Sequence, residues 1–122
     1  MLNILSVGLG GFVGAVCRYL IGLIPINEIT TFPIKTFAVN VIGCIVIGVV
    51  TVVAAKNSSL NPHILLFLKV GLCGGFTTFS TFALESVDLI KNGNVMISFL
   101  YVLGSVLVGL GVIFAVEYFT MK

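Results

Sequence analysis

Charge is what this chain has least of. It carries six Lys and Arg and four Asp and Glu in 122 residues, 8% in all, where a soluble domain is about a quarter charged. With 59% hydrophobic residues and a mean hydropathy of +1.28, the shortage excludes an ordinary soluble domain. The net charge of +2 is too small and too scattered to address nucleic acid. Histidine occurs once, at His63 beside a predicted helix start, so a nucleophile, acid and base have no evident place to converge and no enzyme is expected. Cys17, Cys44 and Cys73 stand singly in apolar segments with no metal-like spacing, which leaves them as small membrane-helix residues. A basic stretch before the first apolar segment is also missing, and Arg18 falls where a cleavage region would be. That segment is expected to remain as a span.

What is present is apolar length. A spanning helix needs about 20 mainly apolar residues, and four segments qualify within a single membrane domain, residues 1–122. They are expected at about 2–24, stopped by Pro25; 34–55, opened by Pro33; 62–90, opened by Asn61-Pro62; and 95–119, after Lys91-Asn92-Gly93-Asn94. The expected fold class is an all-α membrane protein with four transmembrane helices per chain. Fourteen glycines suit such helices, because small residues let backbones approach. Gly10 and Gly14 form a small-xxx-small pair of this kind.

The third segment differs from the others. Gly71-Leu72-Cys73-Gly74-Gly75-Phe76-Thr77-Thr78-Phe79-Ser80-Thr81-Phe82 places glycines and hydroxyls inside a membrane-length run, and a break is expected near residues 73–80. Non-helical chain at that depth persists only when it is packed in protein or lines a wet cavity. The simplest use for such a break is to present carbonyls and hydroxyls to an ion.

The few charges bear on orientation. With four spans, one side holds Lys56, Lys122 and, by snorkelling, Lys69; the other holds Arg18, Lys35 and Lys91. Three against three leaves the positive-inside rule nothing to choose. The chain is expected to insert both ways and pair as an antiparallel homodimer, supplying the inverted repeat that larger transporters carry in one chain.

Three motifs then carry a family resemblance: Gly10-Gly11-Phe12-Val13-Gly14-Ala15-Val16-Cys17-Arg18-Tyr19, Asn40-Val41-Ile42-Gly43, and the run from Gly71 to Phe82 followed by Glu85. In order and position they resemble the Fluc, or CrcB, family of bacterial fluoride channels over the whole chain. The resemblance implies a multi-pass protein of the bacterial inner membrane that exports fluoride passively and confers fluoride resistance. It also implies a dual-topology homodimer with two antiparallel pores and one structural sodium ion (Na+) at its centre. Its partners would be fluoride, sodium, a second copy of itself and the lipid bilayer.

Each candidate residue has a reading of its own beside the one the family implies. Arg18 is either a snorkelling anchor or, by resemblance, a vestibule cation. Asn40 offers two N–H donors suited to a small hard anion, or else an interhelical hydrogen bond; Thr36, one turn earlier, shares its face. Phe79 and Phe82, three apart, form an apolar stripe or, by resemblance, approach fluoride with their positive ring edges. Ser80 and Thr81 add hydroxyls at that depth, Ser80 being favoured by position. Gly74 and Thr77 match the positions whose carbonyls hold sodium in the family, hard cations preferring oxygen; a tight kink is the alternative, and the glycines are expected to supply its backbone angles. Tyr101 and Ser105, four apart, match a polar track; its next step falls on Gly109, where the family pattern carries a hydroxyl. Glu85 matches a residue near that track, where an acid must be paired or protonated. A small multidrug or cation transporter is the alternative function, but its first span would need an acid and this one has none. A structural membrane subunit would leave the glycine-threonine break without a purpose.

Overall fold

The computed structural model describes residues 1–26 and 31–120; Lys122, counted above in the charge balance, lies outside them. Helix α1 spans Leu2–Gly22 and α2 spans Ile34–Lys56. The third span begins with α3 (Pro62–Leu66), widens into a π-helical stretch (Phe67–Cys73) and closes with the single turn α4 (Gly74–Phe76). After two extended residues it resumes as α5 (Phe79–Lys91), and α6 (Val95–Thr120) ends the description. Four helical runs are therefore long and apolar enough to cross a membrane, the third being Pro62–Lys91. No strand occurs among the described residues.

Local chemistry explains the ends. Asn61 caps α3, its Oδ1 accepting from the His63 N–H at 2.9 Å, with Pro62 in the first turn where a missing donor does no harm. Between α5 and α6, Gly93 takes a φ of +85°. There the Asn94 N–H reaches Leu89 O at 2.8 Å and the Gly93 N–H reaches Ile90 O at 3.1 Å, the paired bonds of a Schellman stop.

The break is shorter than expected and is not made by glycine. Gly74 is helical (φ −63°, ψ −39°), and the chain leaves the helix at Thr77 (φ −82°, ψ 159°) and Thr78 (φ −149°, ψ 118°). Threonine adopts such extended angles without strain. The expectation that glycine supplies them is therefore corrected.

Instead, Gly71 and Gly75 are used for packing. A Cβ on Gly71 would sit 2.7 Å from Val7 O and 2.8 Å from the Gly10 Cα, and one on Gly75 would sit 2.6 Å from Gly11 O. Reciprocally, a Cβ on Gly10 would lie 2.9 Å from the Gly71 Cα, and one on Gly14 would lie 2.7 Å from Phe76 N. Two small-xxx-small pairs thus face each other, and α1 runs parallel to the first half of the third span at backbone contact. Helices α2 and α6 pack beside them, with Gly48 against Val116. Little is buried in one copy: Val39, Val50, Val52, Cys73, Leu89 and Tyr101 make up the buried apolar set. Phe12, Phe114 and Phe119 are about 70% exposed, as befits side chains that meet lipid.

Candidate functional site

The site is built around the break. Without a helix to continue, the Thr78 N–H and C=O need other partners, since lipid offers none. Asn40 on α2 meets both: its Oδ1 accepts from the Thr78 N–H at 2.8 Å, and its Nδ2 donates to Thr78 O at 3.1 Å. Asn40 is therefore a clamp across the break, with one Nδ2 proton left over. Thr78 in turn caps α5, its Oγ1 accepting from the Thr81 N–H at 3.1 Å. The amino end of α5, with its partial positive charge, thus opens in mid-span.

Two cavities meet at Thr78. The first, about 540 Å³, is lined by Arg18, Lys35, Thr36, Thr78 and Thr81 among others, and no carboxylate stands among its described lining residues. Its cations are anchored on helix ends: Arg18 Nε donates to Gly75 O at 3.4 Å, and Lys35 Nζ to Gly22 O at 3.0 Å. The second, about 450 Å³, is a groove lined by Asn40, Lys69, Phe79, Phe82, Ser105 and the Gly74–Thr77 turn among others.

The phenylalanines share a face as their spacing requires, with ring centroids 5.8 Å apart. Phe82 also meets Tyr101 edge to face at 5.0 Å, whereas Phe79 is 78% exposed. Ser80 is exposed, 3.4 Å from the Thr78 hydroxyl; it is Thr81, one residue on, that lines the first cavity.

Glu85 is paired from two helices. Thr36 Oγ1 donates to one carboxylate oxygen at 3.1 Å and Tyr101 Oη to the other at 3.0 Å. Tyr101 is wholly buried and its hydroxyl is committed to this contact. Ser105, one turn along α6, differs: its Oγ is buried on the groove without a hydrogen-bond partner among the described residues. Gly109 is held close to α2, since a Cβ there would lie 3.4 Å from Cys44 Sγ. A hydroxyl would have to share that space.

The break leaves two main-chain carbonyls without their helical amides. In an unbroken helix Gly74 O would accept from the Thr78 N–H, and Thr77 O from the Thr81 N–H. Both amides are held elsewhere, by Asn40 Oδ1 and by Thr78 Oγ1. Both residues line the groove, and Gly74 has no atom within 4 Å of where a Cβ would stand. Carbonyl oxygens are the donors a hard cation prefers. No group of three His, Cys, Asp or Glu converges among the described residues. An interhelical hydrogen bond was one of the two sequence readings of Asn40; its partner, the Thr78 backbone, and the cap that Thr78 sets on the Thr81 amide were not foreseen.

Comparison with known proteins places the chain. The family model described as CrcB-like protein, Camphor Resistance (CrcB), matches residues 5–116. A protein of Chlorobaculum tepidum named fluoride-specific ion channel FluC is 44% identical over 94% of this chain and 91% of its own. Proteins of the same name from Phocaeicola vulgatus and Flavobacterium psychrophilum are 47% identical (90% of this chain, 91% of theirs) and 43% identical (90% of each).

Proposed function

This chain belongs to the CrcB family, and from that premise we propose that it is a fluoride-selective ion channel of the bacterial membrane. It lets cytoplasmic fluoride leave down its gradient and so confers fluoride resistance. Hydrogen fluoride enters a cell as a neutral acid and dissociates in the more neutral interior, and a passive leak releases the trapped anion. The observation that carries this reading is the meeting, at the Asn40–Thr78 clamp, of two cation-bearing cavities with no carboxylate among their described lining residues.

Fluoride holds its water tightly, so a path must replace that water with donors at each step. Arg18 gathers the anion in the first cavity. The spare Nδ2 proton of Asn40, the free hydroxyl of Ser105 and the edges of Phe79 and Phe82 then replace water in turn, with Ser80 and Thr81 at the amino end of α5. Thr36, Tyr101 and Glu85 brace the wall, because their polar atoms already serve one another. Narrowness and dehydration exclude chloride.

Two copies pair in opposite orientations about an axis in the membrane plane, each groove being covered by the other copy, to give two antiparallel pores. The balance of basic residues and the open groove face at Gly74 support this arrangement. The carbonyls of Gly74 and Thr77 hold one sodium ion at the centre, where a hard cation ties main-chain oxygens of both copies together.

Fluoride release from proteoliposomes, read with a fluoride electrode and repeated with chloride, tests the reading. Rapid fluoride release under a potassium-valinomycin potential, without a proton gradient and without matching chloride release, is the expected result. Reconstituted dimer that releases no fluoride would overturn it in favour of a small cation transporter or a structural subunit.

A further inference from the structure

Lys69 stands where a membrane protein rarely leaves a lysine. It is seven residues inside the span Pro62–Lys91, about 10 Å from the span's start at 1.5 Å per residue. A lysine that only anchors a helix turns its ammonium back to the headgroups. Lys69 also lines the groove that holds Asn40, Phe79, Phe82 and Ser105, sharing that wall with Ile47 and Ile113. No hydrogen bond or ion pair engages its ammonium among the described residues, and the groove's described lining offers no carboxylate to neutralise it. Arg18 and Lys35 occupy the other cavity, beyond Thr78. An ionisable side chain at membrane depth, facing a cavity and unpaired, is a functional group until shown otherwise.

Resting on the fluoride-conduction reading, we propose that Lys69 is a second anion-gathering charge, at the end of the route opposite Arg18. Its work is electrostatic: it raises the local fluoride concentration at the groove end without binding the ion tightly, so the anion path carries a cation at each mouth. At a separation of about 10 Å, a unit charge in a medium between protein and water changes local anion concentration roughly threefold.

The test is initial fluoride flux of the full-length protein in liposomes, measured at low fluoride with an impermeant salt setting the ionic strength. At about 10 mM the Debye length is about 30 Å, and at about 1 M it is about 3 Å. Lys69→Gln is expected to lower flux roughly threefold at low ionic strength and to match the wild type at high. Lys69→Arg restores the flux, and Lys69→Glu lowers it further. Wild-type flux from Lys69→Gln at low ionic strength would overturn the inference. So would a deficit that persists unchanged at high ionic strength, which would mark a packing role. Absence of flux from the wild type would instead remove the conduction reading on which the inference stands.

Discussion

Replacing Asn40 by alanine removes two hydrogen bonds at once, those of 2.8 and 3.1 Å to the Thr78 amide and carbonyl. A buried polar group left without its partner costs about 1–3 kcal/mol. The Thr78 N–H has no helical carbonyl within the extended chain to fall back on, and its C=O loses its side-chain donor. Together the loss is about 2–6 kcal/mol, and every 1.4 kcal/mol is about tenfold in a local opening equilibrium. Hydrogen exchange at the Thr78 amide, read by NMR in detergent, is therefore expected to accelerate at least about thirtyfold in Asn40→Ala. Reversible unfolding in mixed detergent should show a matching loss of stability. Thr51→Ala on the same helix is the control, because the Thr51 hydroxyl only returns to Ile47 O at 2.7 Å within its own helix, a contact with little net effect. An Asn40→Ala protein within about 0.5 kcal/mol of wild type, its Thr78 amide still protected, would refute the clamp.

Four further outcomes follow from the packing. Gly71→Ala, whose Cβ would stand 2.7 Å from Val7 O and 2.8 Å from the Gly10 Cα, is expected to lower the stability of the protomer by about 1–3 kcal/mol in detergent unfolding; a neutral result would mean α1 is not held at backbone contact. Tyr101→Phe removes the 3.0 Å bond to Glu85 and is expected to cost about 0.5–1.5 kcal/mol, the net range for an intramolecular hydrogen bond, with unchanged stability counting against the Thr36–Glu85–Tyr101 brace. Phe82→Ile is expected to abolish or strongly reduce fluoride flux while the protein still assembles, and unaltered flux would take that ring out of the path. Gly74→Ala meets nothing within one protomer, so it is expected to leave monomer folding intact and to weaken dimerisation or its dependence on sodium, read by cross-linking with and without Na+; normal assembly would remove the cation from the Gly74 face.

Membrane segments write themselves plainly in apolar length and in proline and asparagine punctuation. The observed ends, Gly22, Lys56, Lys91 and Thr120, accordingly lie within two residues of those expected. Pairings across space are less legible. Gly10 and Gly14 announced a close crossing, but nothing in the order of residues said that Gly71 and Gly75 were its other half; beside two threonines, those glycines read as the break itself. The same distance in sequence hid the partner of Asn40. An interhelical hydrogen bond was one of the two readings of its amide, and the group it satisfies is Thr78, 38 residues away. Glu85 could be read as needing a partner, but not which ones, because Thr36 and Tyr101 come from two other helices.

What the structure adds to these separate residues is a dependence between them. An α-helix gives each carbonyl the amide four residues on, so the oxygens of Gly74 and Thr77 become available only if the amides of Thr78 and Thr81 are taken up by something else. Asn40 Oδ1 takes the first and Thr78 Oγ1 the second. The two captures also start α5 at mid-span with its amino end facing the route proposed for the anion. A cation site and an anion path would thus share one cause. If that is so, Thr78→Val, which keeps the shape of the residue and removes its acceptor, should slow fluoride flux and weaken sodium-dependent assembly together. A variant in which one fell and the other held would show that the cap serves only one of the two sites.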